Sequence, residues 1–152
     1  MTTQDLINKY GQPGVNNKVY KLPFYVRLSW DESVKTNKIT LNSLVGDSFI
    51  SACKDILDTY GLDFIEDMGL TIYGGSYNNR KMRGGDKLST HAFSIAVDFD
   101  PENNNLKGTK KKFLDEKYKG VLDMFESNGW YNLGKYKGYD TMHFQHLHPN
   151  EY

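Results

Sequence analysis

Four histidines occur in the chain, His91, His143, His146 and His148. His91 stands seven residues before Asp98, and Asp98 sits in the otherwise apolar run Ile95-Ala96-Val97-Asp98-Phe99. A carboxylate buried in such a run needs a partner, because an isolated buried charge is costly. A metal ion would be such a partner. His143 lies between Met142 and Phe144, so on a strand it points away from that apolar pair. Two imidazoles and one carboxylate, with a fourth position open for water, form a catalytic zinc arrangement. A donor set of nitrogen and oxygen without thiolate fits zinc better than other divalent metals. Each residue alone also has a plain structural reading: a hydrogen-bonded histidine, or an aspartate capping a turn.

Other chemistries fail on inspection. Cys53 is the one cysteine, which excludes an internal disulfide and a thiolate zinc cluster. It falls on the apolar face of a helical pattern and reads as a buried, inert thiol. Asp98 to Thr109 does not make a calcium loop, since Asn103 and Thr109 stand where glycine and glutamate are required. Gly74-Gly75-Ser76 lacks the second glycine of a nucleophile elbow, because position 78 is Asn78. No Gly-Lys-Ser/Thr follows the paired glycines, so there is no phosphate loop. His146 alternates away from His143 on the same strand, and His148 precedes Pro149 near the end of the chain, so neither is a ligand candidate.

The elements that must hold these residues can be read coarsely. Thr3 to Tyr10 is a short helix capped by Thr3 and stopped by Gly11, Pro13 and Gly14. Val19 to Trp30 is extended. A core helix follows, capped by Asp47 or Ser48, with Phe49, Ile50, Cys53, Ile56, Leu57 and Tyr60 at helical spacing and Gly61 at its end. Leu70 to Tyr73 is a strand, and Ser76 to Leu88 a long polar loop. Ser94 to Phe99 is a second strand, with His91 at its opening, and Ile95, Val97 and Phe99 on the face opposite Asp98. Lys110 to Asn128 is a helix whose lysines, interleaved with acids, make a solvated face. Met142 to Leu147 is the last strand. Together these give an α+β fold: one domain over residues 1–152, with a small, mainly antiparallel sheet and flanking helices. The role of residues 11–45 is not legible.

The bulk numbers agree. A chain of 152 residues with 38% hydrophobic and 14% aromatic residues can bury one core and is not disordered. Nineteen basic residues balance nineteen acidic ones, which argues against a nucleic-acid partner held by a basic surface. No apolar run is long enough to insert in a membrane. The first residues lack a basic start and an apolar core, so the expectation is synthesis in the cytoplasm without a signal peptide.

The residues around the candidate ligands form a larger pattern. Ser89-Thr90-His91-Ala92-Phe93-Ser94-Ile95-Ala96-Val97-Asp98 resembles the Ser-x-His-x-x-Gly-x-Ala-x-Asp signature of the zinc D-Ala-D-Ala carboxypeptidase and L-alanyl-D-glutamate endopeptidase family. Asp140-Thr141-Met142-His143-Phe144 resembles that family's second signature, an acid three residues before the last zinc-binding histidine, and Gly129-Trp130 is similar to its Gly-Trp/Phe element. The resemblance runs from about Leu70 to the last strand. One departure is Ser94, where the family has glycine, a residue suited to tight approach or positive φ.

The resemblance implies an α+β domain with a zinc cleft, one zinc ion on His91, Asp98 and His143, and Asp140 as general base. It also implies an arginine upstream of the first histidine that binds substrate carbonyl or carboxylate groups, Arg80 or Arg83, with Arg80 preferred. A guanidinium suits that role because it engages two oxygens at once. Ser89 is a further candidate at the substrate, or else orients its loop. The implied activity is hydrolysis in the stem peptide of bacterial peptidoglycan by a monomer: an endolysin-type L-alanyl-D-glutamate endopeptidase that reaches the wall through a phage-made membrane pore, or a D-Ala-D-Ala carboxypeptidase. A non-catalytic, zinc-stabilised wall-binding module is the reading from another class. It would have no need of Asp140.

Overall fold

The computed structural model describes all 152 residues. Helix α1 covers Thr3–Tyr10, the span its sequence signal suggests, but Thr2 and not Thr3 is the cap. The Thr2 hydroxyl accepts the Asp5 amide and the Asp5 carboxylate accepts the Thr2 amide, a reciprocal capping box. Strands β1 (Asn17–Leu28) and β2 (Asp31–Asn42) form a long antiparallel hairpin. β2 escapes notice in the sequence because its first half is polar and exposed. It is a sheet edge, where lysines and polar residues discourage pairing with another chain.

Helix α2 (Gly46–Tyr60) buries Phe49, Ala52, Cys53 and Ile56 along one face. Neither Asp47 nor Ser48 caps it. Asp47 lies within the first turn, and the Ser48 hydroxyl donates to the Val45 carbonyl while receiving the Trp130 indole N–H. Position 46 admits only glycine, since a Cβ there would fall about 2.1 Å from the Tyr20 ring. Gly61 ends α2 and opens α3 (Leu62–Met68), a short helix the sequence reading did not separate. Burial raises the Cys53 thiol far above its ordinary value, as expected of an inert core cysteine.

Strand β3 (Ile72–Gly75) is followed by the expected long loop, pinned by one bridge between Lys81 and Leu88. The strand β4 (Ala96–Phe99) is shorter than Ser94–Phe99, and His91 does not open it. His91 lies instead in a 3-10 turn, Thr90–Phe93. The helix expected over residues 110–128 is also broken. Two 3-10 turns, Lys112–Leu114 and Glu116–Tyr118, precede α4 (Lys119–Ser127). Asp115 is extended between them and its carboxylate takes the Lys117 amide, the local bond by which aspartate competes with a helix interior. β5 (Tyr131–Asn132), α5 (Leu133–Lys137) and β6 (His143–Gln145) complete the chain.

The six strands run in the order β2-β1-β3-β4-β6-β5. All neighbours are antiparallel except β1 and β3. One continuous core of 30 buried residues fills the space between sheet and helices, consistent with a single domain. Phe49 is its hub, with ring centroids 6.2 Å from Phe99, 5.9 Å from Phe125 and 4.7 Å from Trp130. Phe144 packs on Phe99, Phe113 and Phe125 from β6. These contacts clamp the two strands that carry Asp98 and His143.

Candidate metal centre and cleft

Strands β4 and β6 pair with Val97 opposite Phe144 and Asp98 opposite His143. Side chains alternate along a strand, so one register delivers Val97 and Phe144 to the core and Asp98 and His143 together to the other face. A one-residue slip would bury the ligands and expose the core.

His91 arrives by a different route. The Ser89 hydroxyl accepts the His91 amide and caps the 3-10 turn. The turn ends at Ser94, whose φ of 54° is left-handed. The glycine expected here from the family pattern is therefore a requirement on backbone angle, which this chain meets with serine. A non-glycine residue in that region costs about 1–2 kcal/mol. Part of this is offset by the Ser94 hydroxyl, which donates to the Asn17 side-chain oxygen.

Three side chains converge. His91 Nε2 is 3.3 Å from Asp98 Oδ2, His143 Nδ1 is 3.3 Å from Asp98 Oδ1, and the two imidazole nitrogens are 3.2 Å apart. Zinc bonds of about 2.0–2.1 Å in a tetrahedron give ligand–ligand edges of about 3.3–3.4 Å. Each of the three separations already has that length, the two to Asp98 ending on different carboxylate oxygens.

The outward nitrogens settle the tautomers. His91 Nδ1 lies 3.0 Å from the Ser76 carbonyl, which can only accept, so that nitrogen carries the proton and Nε2 presents a lone pair. His143 Nε2 lies 2.9 Å from Gln145 Oε1 and 3.2 Å from the Thr90 hydroxyl. The Gln145 amide N–H₂ donates to the Leu147 carbonyl at 3.1 Å, which aims its oxygen at the histidine. Two lone pairs and a carboxylate thus face one point. Asp98 Oδ1 is buried there with no well-formed hydrogen bond. Burial alone would raise the Asp98 pKa, but the charge and hydrogen bonds of His91 and His143 hold it well below the usual carboxylate range. Burial likewise works against a charge on His143, and Asp98, then Asp140, overcome it and raise the histidine. A proton between these atoms satisfies one acceptor at a time, whereas a divalent cation meets all three. His91, Asp98 and His143 therefore fit a metal ion.

Asp140 stands beside this centre, with Oδ2 3.8 Å from His143 Nδ1. It too has positive φ, 54°. The strain is held by its neighbours: the Asp140 amide donates to the Leu106 carbonyl and its carbonyl accepts the His143 amide. Gly108 lies so close to Gly138 that a Cβ would meet the Gly138 carbonyl oxygen at 2.2 Å. Burial raises the Asp140 carboxyl pKa, and the Asp98 charge adds to this, against the two histidines and Arg80.

A cleft of about 220 Å³ opens over the centre, lined by His91, His143 and Asp140 and, at its rim, by Arg80, Arg83 and Ser89. Apart from Asp98, which meets His91 and His143 at the centre, every candidate site residue from the sequence thus lines this cleft. Tyr139 and Leu106 add exposed apolar surface to the same rim. A larger hollow of about 570 Å³ lies between β1 and the α2–α3 pair, lined by residues such as Phe24, Val26 and Leu57, and gathers no chemical groups of this kind. The sequence reading missed Thr90, Gln145 and the Ser76 carbonyl, which orient the histidines. Gln145 had a signal, two residues from His143 on the same strand face. The Ser76 carbonyl had none. His146 packs edge-on against Trp130, and His148 lies between Tyr131 and Tyr136, so both stand apart from the centre as expected.

Residues 83–146 match the family model described as D-alanyl-D-alanine carboxypeptidase. The match holds every residue of the centre and supports a zinc-dependent peptidase. It covers less than half of the chain and begins well after Leu70, so the resemblance is narrower than the sequence signatures suggest. Comparison with curated proteins and with solved structures gives no significant match.

Proposed function

We propose that this protein is a zinc peptidase that hydrolyses the stem peptide of bacterial peptidoglycan, cutting between L-Ala and D-Glu as a monomeric, endolysin-type enzyme. The observation that carries the reading is the convergence of two imidazoles and a carboxylate on one point, beside a second carboxylate on a strained backbone. When bound by His91, Asp98 and His143, zinc supplies Lewis acidity that activates water and polarises a carbonyl.

The chain's own residues do the rest. Ser76, Thr90 and Gln145 hold the imidazoles in their working tautomers. Asp140 accepts the proton of the attacking water and passes it to the departing amine. Its raised pKa suits both halves of that task, because a base is most effective when its pKa lies near the working pH. Arg80, at the rim beside His91, pairs with a substrate carbonyl or carboxylate. A pure wall-binding module has no use for Asp140, which disfavours that alternative. The matched family's description favours a second reading, removal of a terminal D-Ala, on the same machinery. Access to the wall through a phage-made pore is part of the endolysin proposal.

Digestion of purified peptidoglycan, with products read by mass spectrometry, separates these. Chelator-sensitive release of peptides with a new N-terminal D-Glu is expected. Loss of one terminal D-Ala would replace the endopeptidase with the carboxypeptidase. No cleavage of several wall types by protein carrying one zinc would sink both.

A further inference from the structure

The groove does not stop at the metal-binding residues. On the Asp98 side a second hollow of about 250 Å³ is walled by Trp30, Gly74, Tyr77 and Asn78 and reaches His91 and Asp98. Arg80 and His91 line this hollow and the Asp140 cleft alike, so the two adjoin at these residues beside the centre. Trp30 stands at the turn between β1 and β2, 64% exposed, with Tyr73 bracing it at 6.4 Å between ring centroids. Tyr77, 42% exposed, lies on the same hollow. Folding gains little from an indole left in water at a hairpin tip. Its value lies in what it can cover.

The lining narrows the occupant. At Gly74 the floor is bare backbone, close against the Asp98 main chain, and Asn78 brings a polar side chain. Two aromatic side chains beside a mainly polar lining suit a pyranose, which offers a C–H face to the electron-rich side of a ring and hydroxyl and amide groups at its edge. We propose that this hollow binds the N-acetylated sugar that carries the stem peptide, stacked on Trp30. The inference rests on the proposed L-Ala-D-Glu cleavage: there, one amino acid and a lactyl ether separate the scissile carbonyl from the sugar, which must therefore lie beside the centre. At the far end of the stem, each intervening residue would move the sugar away by about 3.3–3.6 Å.

Trp30 also reports on the site. The only other tryptophan, Trp130, is fully buried, so acrylamide quenching reads Trp30. The probe is the disaccharide of N-acetylglucosamine and N-acetylmuramic acid without peptide, added to the zinc-loaded protein. Protection of Trp30 from quenching is expected. In kinetics, the disaccharide-linked peptide should exceed the free peptide in kcat/KM by about tenfold, mostly through KM, a factor that weak stacking can supply. Trp30→Ala should bring that ratio close to one, and Trp30→Phe should retain most of it. No protection by the disaccharide, or a ratio that Trp30→Ala leaves intact, overturns the sugar site. Protection without cleavage of either peptide would keep the sugar site and remove the peptidase reading. Equal cleavage of both peptides would do the reverse.

Discussion

Zinc should stabilise the fold by an amount that depends on all three ligands. The two imidazole nitrogens stand 3.2 Å apart and each is 3.3 Å from its own Asp98 oxygen, so binding requires only a small rearrangement. An ion that binds only the folded state, at about a thousand times its Kd, adds about 4 kcal/mol of stability. For a chain of this length each kcal/mol moves Tm by about 2–4 °C, so the expected rise is about 8–16 °C. The assay is thermal unfolding with and without zinc, each variant being compared with its own chelated form so that packing losses cancel. His91→Ala, Asp98→Ala and His143→Ala should each reduce the zinc-induced rise to less than half. Magnesium should not replace zinc, because imidazole nitrogens suit zinc and magnesium prefers oxygen. A parent protein whose Tm ignores zinc, or an Asp98→Ala variant that keeps the full rise, would refute the convergence argument.

Three other outcomes follow from the same geometry. Asp140→Asn should lower kcat on peptidoglycan by about 10²–10⁴, the usual worth of a general base, while one zinc per chain remains by elemental analysis. Gln145→Ala removes the acceptor on His143 Nε2 and should weaken zinc affinity by about 10–100-fold in competition with a chromogenic chelator, the chelated Tm recording separately the loss of a buried side chain. Stability should fall in alkali: burial raises Tyr10 and Tyr73 to about 12, so both stay neutral in the fold while the unfolded chain ionises near 10. Their contribution is complete below pH 10 and lost as pH climbs towards 12. Denaturation against pH should show a drop that Tyr10→Phe makes shallower, and an unchanged slope would refute it.

The metal centre was legible in the sequence because its chemistry is written in residue types. His91, Asp98 and His143 are costly to place on apolar strands without a partner, and strand alternation put Asp98 and His143 opposite the core-facing residues. The supporting structure was less legible. β2 hid because an edge strand shows little apolar alternation. The helix over 110–128 was drawn too long because one aspartate, Asp115, can stop a helix by binding the backbone locally. The Ser76 grip on His91 uses a main-chain carbonyl, which carries no residue-type signal. The meeting of the Trp30 turn with the centre depends on β1 lying parallel beside β3, a long-range pairing that local pattern does not encode.

Ser94 carries a lesson about how such sites diverge. What position 94 must supply is the sign of one torsion, and the side chain is secondary. Glycine meets that demand freely, asparagine and aspartate at some cost, and serine, as here, at about 1–2 kcal/mol. In this chain a serine stands at that position with His91 still held against Asp98 and His143.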